Sequence, residues 1–173
     1  MPELILPTTR LHAAFLECRD DWGPGEHEDG FGLAADDDVD SPDGFAAWVH
    51  DRTRLVHPIG SPCPAEKHGS PRWIVDNGQV LGGIALRHIL DDDIGQIGYG
   101  IRPSARRRGL AGWALGEMLK EARDGLGWDR VLIPCLADNV ASARTIERNG
   151  GVLEGIRDTE RGPVRRYWIT LVR

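Results

Sequence analysis

Asn77-Gly78 constrains this chain more than any other pair of residues. Both tolerate the positive φ of a type I′ turn, so they join the apolar runs Trp73-Ile74-Val75 and Val80-Leu81 into an antiparallel hairpin. The pattern on either side is that of strands, with residues 72–76 leading in and 79–89 returning. Asp91-Asp92-Asp93 makes the next turn, residues 95–101 form the third strand of a meander, and Pro103 ends it. An antiparallel sheet through the middle of the chain follows from this stretch alone.

Helices flank the meander. Residues 3–6 read as a short strand, after which Thr8 or Thr9 caps a helix through Phe15 and Leu16 to about Trp22. Ser41-Pro42-Asp43 opens a second helix, with proline at the first helical position, running to about Leu55. Residues 23–40 and 57–71 are loop. Beyond the meander, Leu115, Leu119, Ala122 and Leu126 share one face of a helix over 110–126. Residues 130–136 form an apolar strand, and a helix over 140–148 stops at Asn149-Gly150-Gly151. Two last strands, 152–159 and 164–172, join at Gly162-Pro163. The order β-α-α-β-β-β-α-β-α-β-β predicts one α/β (α+β) domain over residues 1–173. Its sheet is mixed, largely antiparallel and twisted, and its strand–helix–strand unit crosses over in parallel with a right hand.

Composition removes several classes of function. No apolar run approaches the roughly 18 residues of a membrane span, and the start lacks the basic and apolar regions of a secretory signal. Cys18, Cys63 and Cys135 cannot all pair and show no ligand spacing, which points to a reduced, cytoplasmic setting without metal. Residues 1–60 carry a net charge of −9 and residues 61–173 a net of +3. The acidic front argues against nucleic acid and permits a cationic partner, while the basic part can hold an anion.

The stretch from Gly98 to Ala111 is the most informative for chemistry. A strand ends at Pro103, the segment Arg106-Arg107-Arg108-Gly109 follows, and a long helix opens at Leu110. The first N–H groups of a helix lack intrahelical partners and carry the positive end of its dipole, so the junction suits a phosphate. A Walker loop is ruled out because no Gly-Lys-Ser/Thr follows, and a dinucleotide fingerprint because Gly-x-Gly-x-x-Gly is missing.

Arg106-x-x-Gly109-x-Ala111 resembles the Gln/Arg-x-x-Gly-x-Gly/Ala signature of the GNAT N-acetyltransferases. Asn139-Val-Ala-Ser142 followed by Ile146-Glu147-Arg148-Asn149-Gly150 is similar to a segment of the GNAT branch that acetylates ribosomal proteins and small molecules. Arg166-Tyr167-Trp168-Ile169 resembles the closing strand of that branch, and the element order agrees over essentially the whole chain. The resemblance implies acetyl-CoA as donor, with Arg106, Arg107, Arg108, Gly109, Leu110 and Ala111 on its pyrophosphate. Its pantetheine would lie beside Tyr99, Gly100 and Ile101, in a gap before the next strand, with Asn139 near the amides. A homodimer is compatible with the family.

Two departures from the family pattern stand out. The meander position that often carries a glutamate base is Gln96, which cannot accept a proton at neutral pH, and the position of a helical tyrosine acid is Ile146. The resemblance then assigns protonation of the leaving thiolate to Ser142, where the structural alternative is a helix cap formed with Asn139. His88 is the histidine nearest the meander end and titrates in the right range for a base; the alternative is a histidine at the core edge. Tyr99 can turn its hydroxyl to the acceptor or pack in the core. Its flanking glycines leave room for a thioester, and a backbone N–H near 99–101 could stabilise the oxyanion. Deprotonation by a water chain, with positioning supplying the rate, is the route without a protein base.

No cysteine sits in an evident nucleophile setting, so direct attack by a primary amine in a ternary complex is expected. Residues 17–43 hold eleven acids against the single base Arg19, which suits a small cationic acceptor. Trp22, Phe31, Phe45 and Trp48 could floor its site. The rival readings are a protein N-terminal acetyltransferase and a non-catalytic acyl-CoA-binding module.

Overall fold

The hairpin forms at the expected turn. In the computed structural model, which describes residues 1–25, 30–54, 56, 69–88, 90 and 94–172, Asn77 and Gly78 take φ of 50° and 76°. From them β2 (Gly69–Asp76) and β3 (Gln79–Arg87) run back antiparallel. With β1 (Glu3–Ile5) on β2 and β4 (Ile97–Ile101) on β3, they make a four-stranded antiparallel sheet in the order β1-β2-β3-β4. β2 starts at Gly69 and takes in Pro71, which the sequence places in a loop. The β1 ladder covers only Trp73 to Val75, so the N–H that Pro71 lacks is not required on that side. The turn at Asp91-Asp92-Asp93 and Cys63 lie outside the described residues.

Alternation along β2 sends side chains to two cores. Trp73 and Val75 join the aromatic cluster under α1 (His12–Asp21) and α2 (Pro42–Thr53), while Ile74 joins the cluster shared with α3 (Leu110–Lys120). Phe15 of α1 is fully buried, with ring centroids of Phe31, Phe45, Trp48 and Trp73 all 5.1–5.3 Å from its own. Phe45 and Trp48 are therefore core. Ser41 caps α2 as its sequence predicts, whereas α1 begins behind Leu11 with no side-chain cap. Thr8 leads a 3-10 turn over Thr9–Leu11, and the Gly44 N–H donates to Ser41 Oγ at 3.0 Å.

The last third of the chain builds a second antiparallel sheet. Its strands are β5 (Arg130–Leu136), β6 (Gly151–Thr159) and β7 (Gly162–Thr170), in the order β5-β7-β6. α3 leads from β4 toward β5 and gives way to a π-helical turn over Glu121–Gly125, where the sequence predicts one continuous helix to Leu126. α4 (Val140–Arg148) joins β5 to β6. Gly162 and Pro163 belong to β7, so the turn between β6 and β7 falls at Glu160-Arg161.

The expected single mixed sheet is thus two antiparallel sheets, because β4 and β5 form no ladder. They meet at Gln96. Its backbone N–H donates to the Leu132 carbonyl at 2.9 Å, and its side-chain Oε1 accepts the Leu132 N–H at 3.0 Å. Gly95, at φ +68°, makes the approach possible: a Cβ there would overlap the Pro134 ring and stand 2.8 Å from the Leu132 carbonyl oxygen. Beyond this clasp the strands are separate, and the gap so opened positions the site.

Candidate active site

At the far end of β4 the chain passes through a 3-10 turn over Pro103–Ala105 into Arg106–Gly109. Gly109 begins α3 in the left-handed region at φ +77°, and no side chain caps the helix. A Cβ on Gly109 would meet nothing within 4 Å, and the first-turn N–H groups of α3, without a side-chain cap, suit an anion. Arg107 is exposed and also takes a positive φ, 63°. These residues fit an anionic group.

The arginine side chains of this segment take different partners. Arg106 turns inward: its Nε donates to the Ile101 carbonyl at 3.0 Å, and its guanidinium lies 4.9 Å from the Trp22 ring centroid. Arg108 reaches toward Asp76 at 3.7 Å.

The same turn is tied to α1. Asp21 Oδ2 accepts the Ser104 N–H at 3.0 Å, the Ser104 hydroxyl at 2.8 Å and Arg102 Nε at 3.0 Å. The two Ser104 bonds, helped by the Arg102 guanidinium, hold the carboxyl down at about 2. Sequence reasoning missed this clasp, whose partners are more than eighty positions apart and carry no local signal.

Tyr99 and Ser142 are brought together. The Tyr99 hydroxyl lies 2.9 Å from Ser142 Oγ and 3.4 Å from the Ser142 carbonyl oxygen, so β4 reaches across to the start of α4. Asn139 caps that helix, its Oδ1 accepting the Ser142 N–H at 3.0 Å. Ile146 is fully buried.

His88 is not brought to this pair. Its Nε2 lies 3.2 Å from Ser70 Oγ, and its ring meets Trp128 edge-on at 6.3 Å. Tyr99 pairs with Ile84, which places His88 about 13 Å farther along the strand, out of proton-transfer reach. Gln96 is buried in the clasp. Glycines around β4 also allow close packing. A Cβ on Gly98 would stand 3.1 Å from the Arg87 guanidinium, and one on Gly30 would overlap the Gly83 carbonyl and lie 2.7 Å from the Gly100 nitrogen.

An open groove of about 1280 Å³ adjoins the gap. One side comes from Arg19, Asp20 and Trp22 at the end of α1 with Phe31 beyond; the other comes from Cys135 and Leu136 of β5 with Glu160 and Arg161 of the β6–β7 turn. The contribution of that turn carried no signal in the sequence. Most of the described acids in residues 17–43 are engaged elsewhere. Asp21 is in the clasp, and Asp20 and Asp40 each bind Arg19 at 2.8 Å. Asp37 Oδ2 accepts the Trp48 indole N–H at 3.0 Å, and Asp38 Oδ1 accepts the Ser41 N–H at 3.1 Å. Glu26, Glu28 and Asp29 lie outside the described residues. Among the described residues no helix is long and apolar enough to cross a membrane, and no cluster could hold a metal ion.

The comparisons with known proteins agree with this architecture. The solved structure of the microcin C7 self-immunity acetyltransferase MccE, in complex with acetyl-CoA and AMP, matches 98% of this chain and 92% of its own at 17% identity, with a TM-score of 0.70. RimL, a ribosomal α-N-protein acetyltransferase in complex with coenzyme A, matches 98% and 94% at 19% identity, TM-score 0.71. An acetyltransferase from Salmonella typhimurium that modifies the N-terminal serine of a 50S ribosomal subunit protein matches 99% and 95% at 18% identity, TM-score 0.71. These likenesses show the fold. No curated protein matches the chain by sequence. The family model of the acetyltransferase (GNAT) domain matches residues 31–152, from the groove wall through β4, the anion loop and α4 into β6, and the chain belongs to the GNAT acetyltransferase family.

Proposed function

We propose that this acetyltransferase moves acetyl from acetyl-CoA to the primary amine of a small, cationic acceptor by direct attack in a ternary complex. The observation that carries the reading is the gap beyond Gln96, with the uncapped start of α3 at its outer end and Tyr99–Ser142 bridging β4 to α4. Acetyl-CoA supplies the activated thioester. The N–H groups of residues 107–111 would bind its pyrophosphate, and the edges of β4 and β5, which share no ladder, would take its amides. Asn139 uses Oδ1 as a cap, which leaves its NH₂ to donate to the same arm. Ser142 Oγ would give a proton to the departing sulfur. Gln96 is no base and His88 is out of reach, so water takes the amine proton and positioning supplies most of the rate.

Asp20 and Glu160 line the groove together with Arg19 and Arg161, and Asp20 is paired to Arg19 at 2.8 Å, so support for a cationic acceptor comes from the net negative charge of the front of the chain. A second reading, the α-amine of a protein, is favoured by the groove's size. It exceeds the roughly 300–1,000 Å³ of small-ligand sites, and two of the structural neighbours are ribosomal-protein acetyltransferases. Thiol release across small amines and short N-terminal peptides separates the two. The expected result is turnover with small amines that weakens as salt is added. A preference for peptides overturns the small acceptor, and no release with any amine overturns the reaction.

A further inference from the structure

We propose that Tyr99 is the proton source behind Ser142, so that the leaving thiolate is protonated through two hydroxyls in series, from β4 through α4. The proposal rests on the acetyl-transfer reading above and concerns which group in that site bears the acidity.

Acidity is the reason a lone serine is insufficient. An alkyl thiol has a pKa near 8.5, whereas a hydroxyl resembling water's, at about 15.7, is a far weaker acid. Ser142 can hand its proton to a thiolate only if another proton arrives as its own leaves. A phenol, with a pKa of about 10, is within about two units of the thiol. Tyr99 supplies one, its hydroxyl 2.9 Å from Ser142 Oγ. No other phenol can take this part. The only other tyrosine in the chain, Tyr167, is fully buried and donates to Glu147 at 2.9 Å.

The geometry suits a relay more than a simple tether. The Asn139 cap fixes the Ser142 backbone in the first turn of α4. The positive end of that helix dipole favours negative charge on an oxygen beside it, including a transient tyrosinate. Tyr99 is half-buried and packs against the α3 core, so its ring is held while its hydroxyl points to the helix start.

In the step itself the amine nitrogen bonds to the acetyl carbon, and the carbon–sulfur bond breaks with its electron pair on sulfur. Ser142 Oγ–H gives its proton to sulfur and takes the proton of Tyr99. The tyrosinate regains a proton from water, which balances the proton the amine has lost to water.

The test uses the intact protein with Tyr99→Phe, Ser142→Ala, the double variant, and 3-fluorotyrosine at position 99, whose phenol is more acidic. Calorimetry with coenzyme A should show affinity kept within about twofold throughout. Each single change should lower kcat on the order of 10²-fold, and the double should fall no further than the worse single, as groups acting in series do. The fluorotyrosine should move the alkaline limb of kcat to lower pH. In the ligand-free protein its fluorine resonance should report a phenol pKa that Ser142→Ala displaces. A Tyr99→Phe enzyme with wild-type kcat, multiplicative effects in the double, an unmoved alkaline limb or an undisplaced fluorine titration overturns the relay. Failure of the wild type itself to bind coenzyme A or release thiol would instead overturn the reading on which the relay rests.

Discussion

Asp21→Asn removes the charge from the clasp between α1 and the turn before the anion loop while keeping an oxygen that accepts a hydrogen bond. The native carboxyl titrates at about 2 against an ordinary 3.8, which corresponds to about 2.4 kcal/mol of stability at neutral pH. Its side chain is 23% exposed, and solvent screening brings the expectation to about 1.5–2 kcal/mol. Because the folded pKa lies below the unfolded one, this stabilisation is complete above about pH 4 and is lost as pH falls through 2. With a urea dependence of about 2 kcal/mol/M, the unfolding midpoint of the variant should lie nearly 1 M below wild type at pH 7. The gap should narrow from pH 4 downward and close near pH 2. Urea titrations followed by far-UV circular dichroism at pH 7, 5, 3.5 and 2.5 would show it. A gap that is absent at pH 7, or unchanged down to pH 2.5, refutes the account.

Gln96→Ala strands the buried Leu132 N–H and should cost about 1–3 kcal/mol, with hydrogen exchange of residues 97–101 and 130–136 accelerating most. Asp37→Asn disturbs an acceptor of the Ala34 N–H at 2.8 Å and the Trp48 indole, so it should lower thermal stability by about 1 kcal/mol. Asp36→Asn should not, and neither change should move the acceptor KM. Gly109→Glu puts a side chain and a negative charge at the start of α3, at a positive φ but in open space; coenzyme A binding by calorimetry should fall sharply while the circular dichroism spectrum is kept.

Local chemistry was legible in the sequence. Asn77-Gly78, the Ser41-Pro42 cap and the Arg/Gly approach to Leu110 each depend on residues close together in the chain, and each forms as read. The seam between the sheets was not legible, because a strand–helix–strand unit normally ends in a parallel ladder. Here a glutamine side chain makes one of the two bonds to Leu132. The acidic front of the chain was legible only as a total. Counting charge cannot distinguish a carboxylate that faces a substrate from Asp37 or Asp38, which hold N–H groups of their own loop. The Tyr99–Ser142 contact joins positions forty-three apart, and each residue was suspected for its own reasons, but nothing in the spacing placed them within bonding distance.

The Gln96 clasp bears on how readily this enzyme could change its chemistry. A glutamate at this position could still accept the Leu132 N–H, but its ionised carboxylate would be enclosed beside the Leu132 carbonyl that the residue's own N–H binds. The change from glutamine to glutamate therefore carries a desolvation cost in this seam, although the two side chains have the same length. A base supplied from the groove walls would leave both bonds to Leu132 in place.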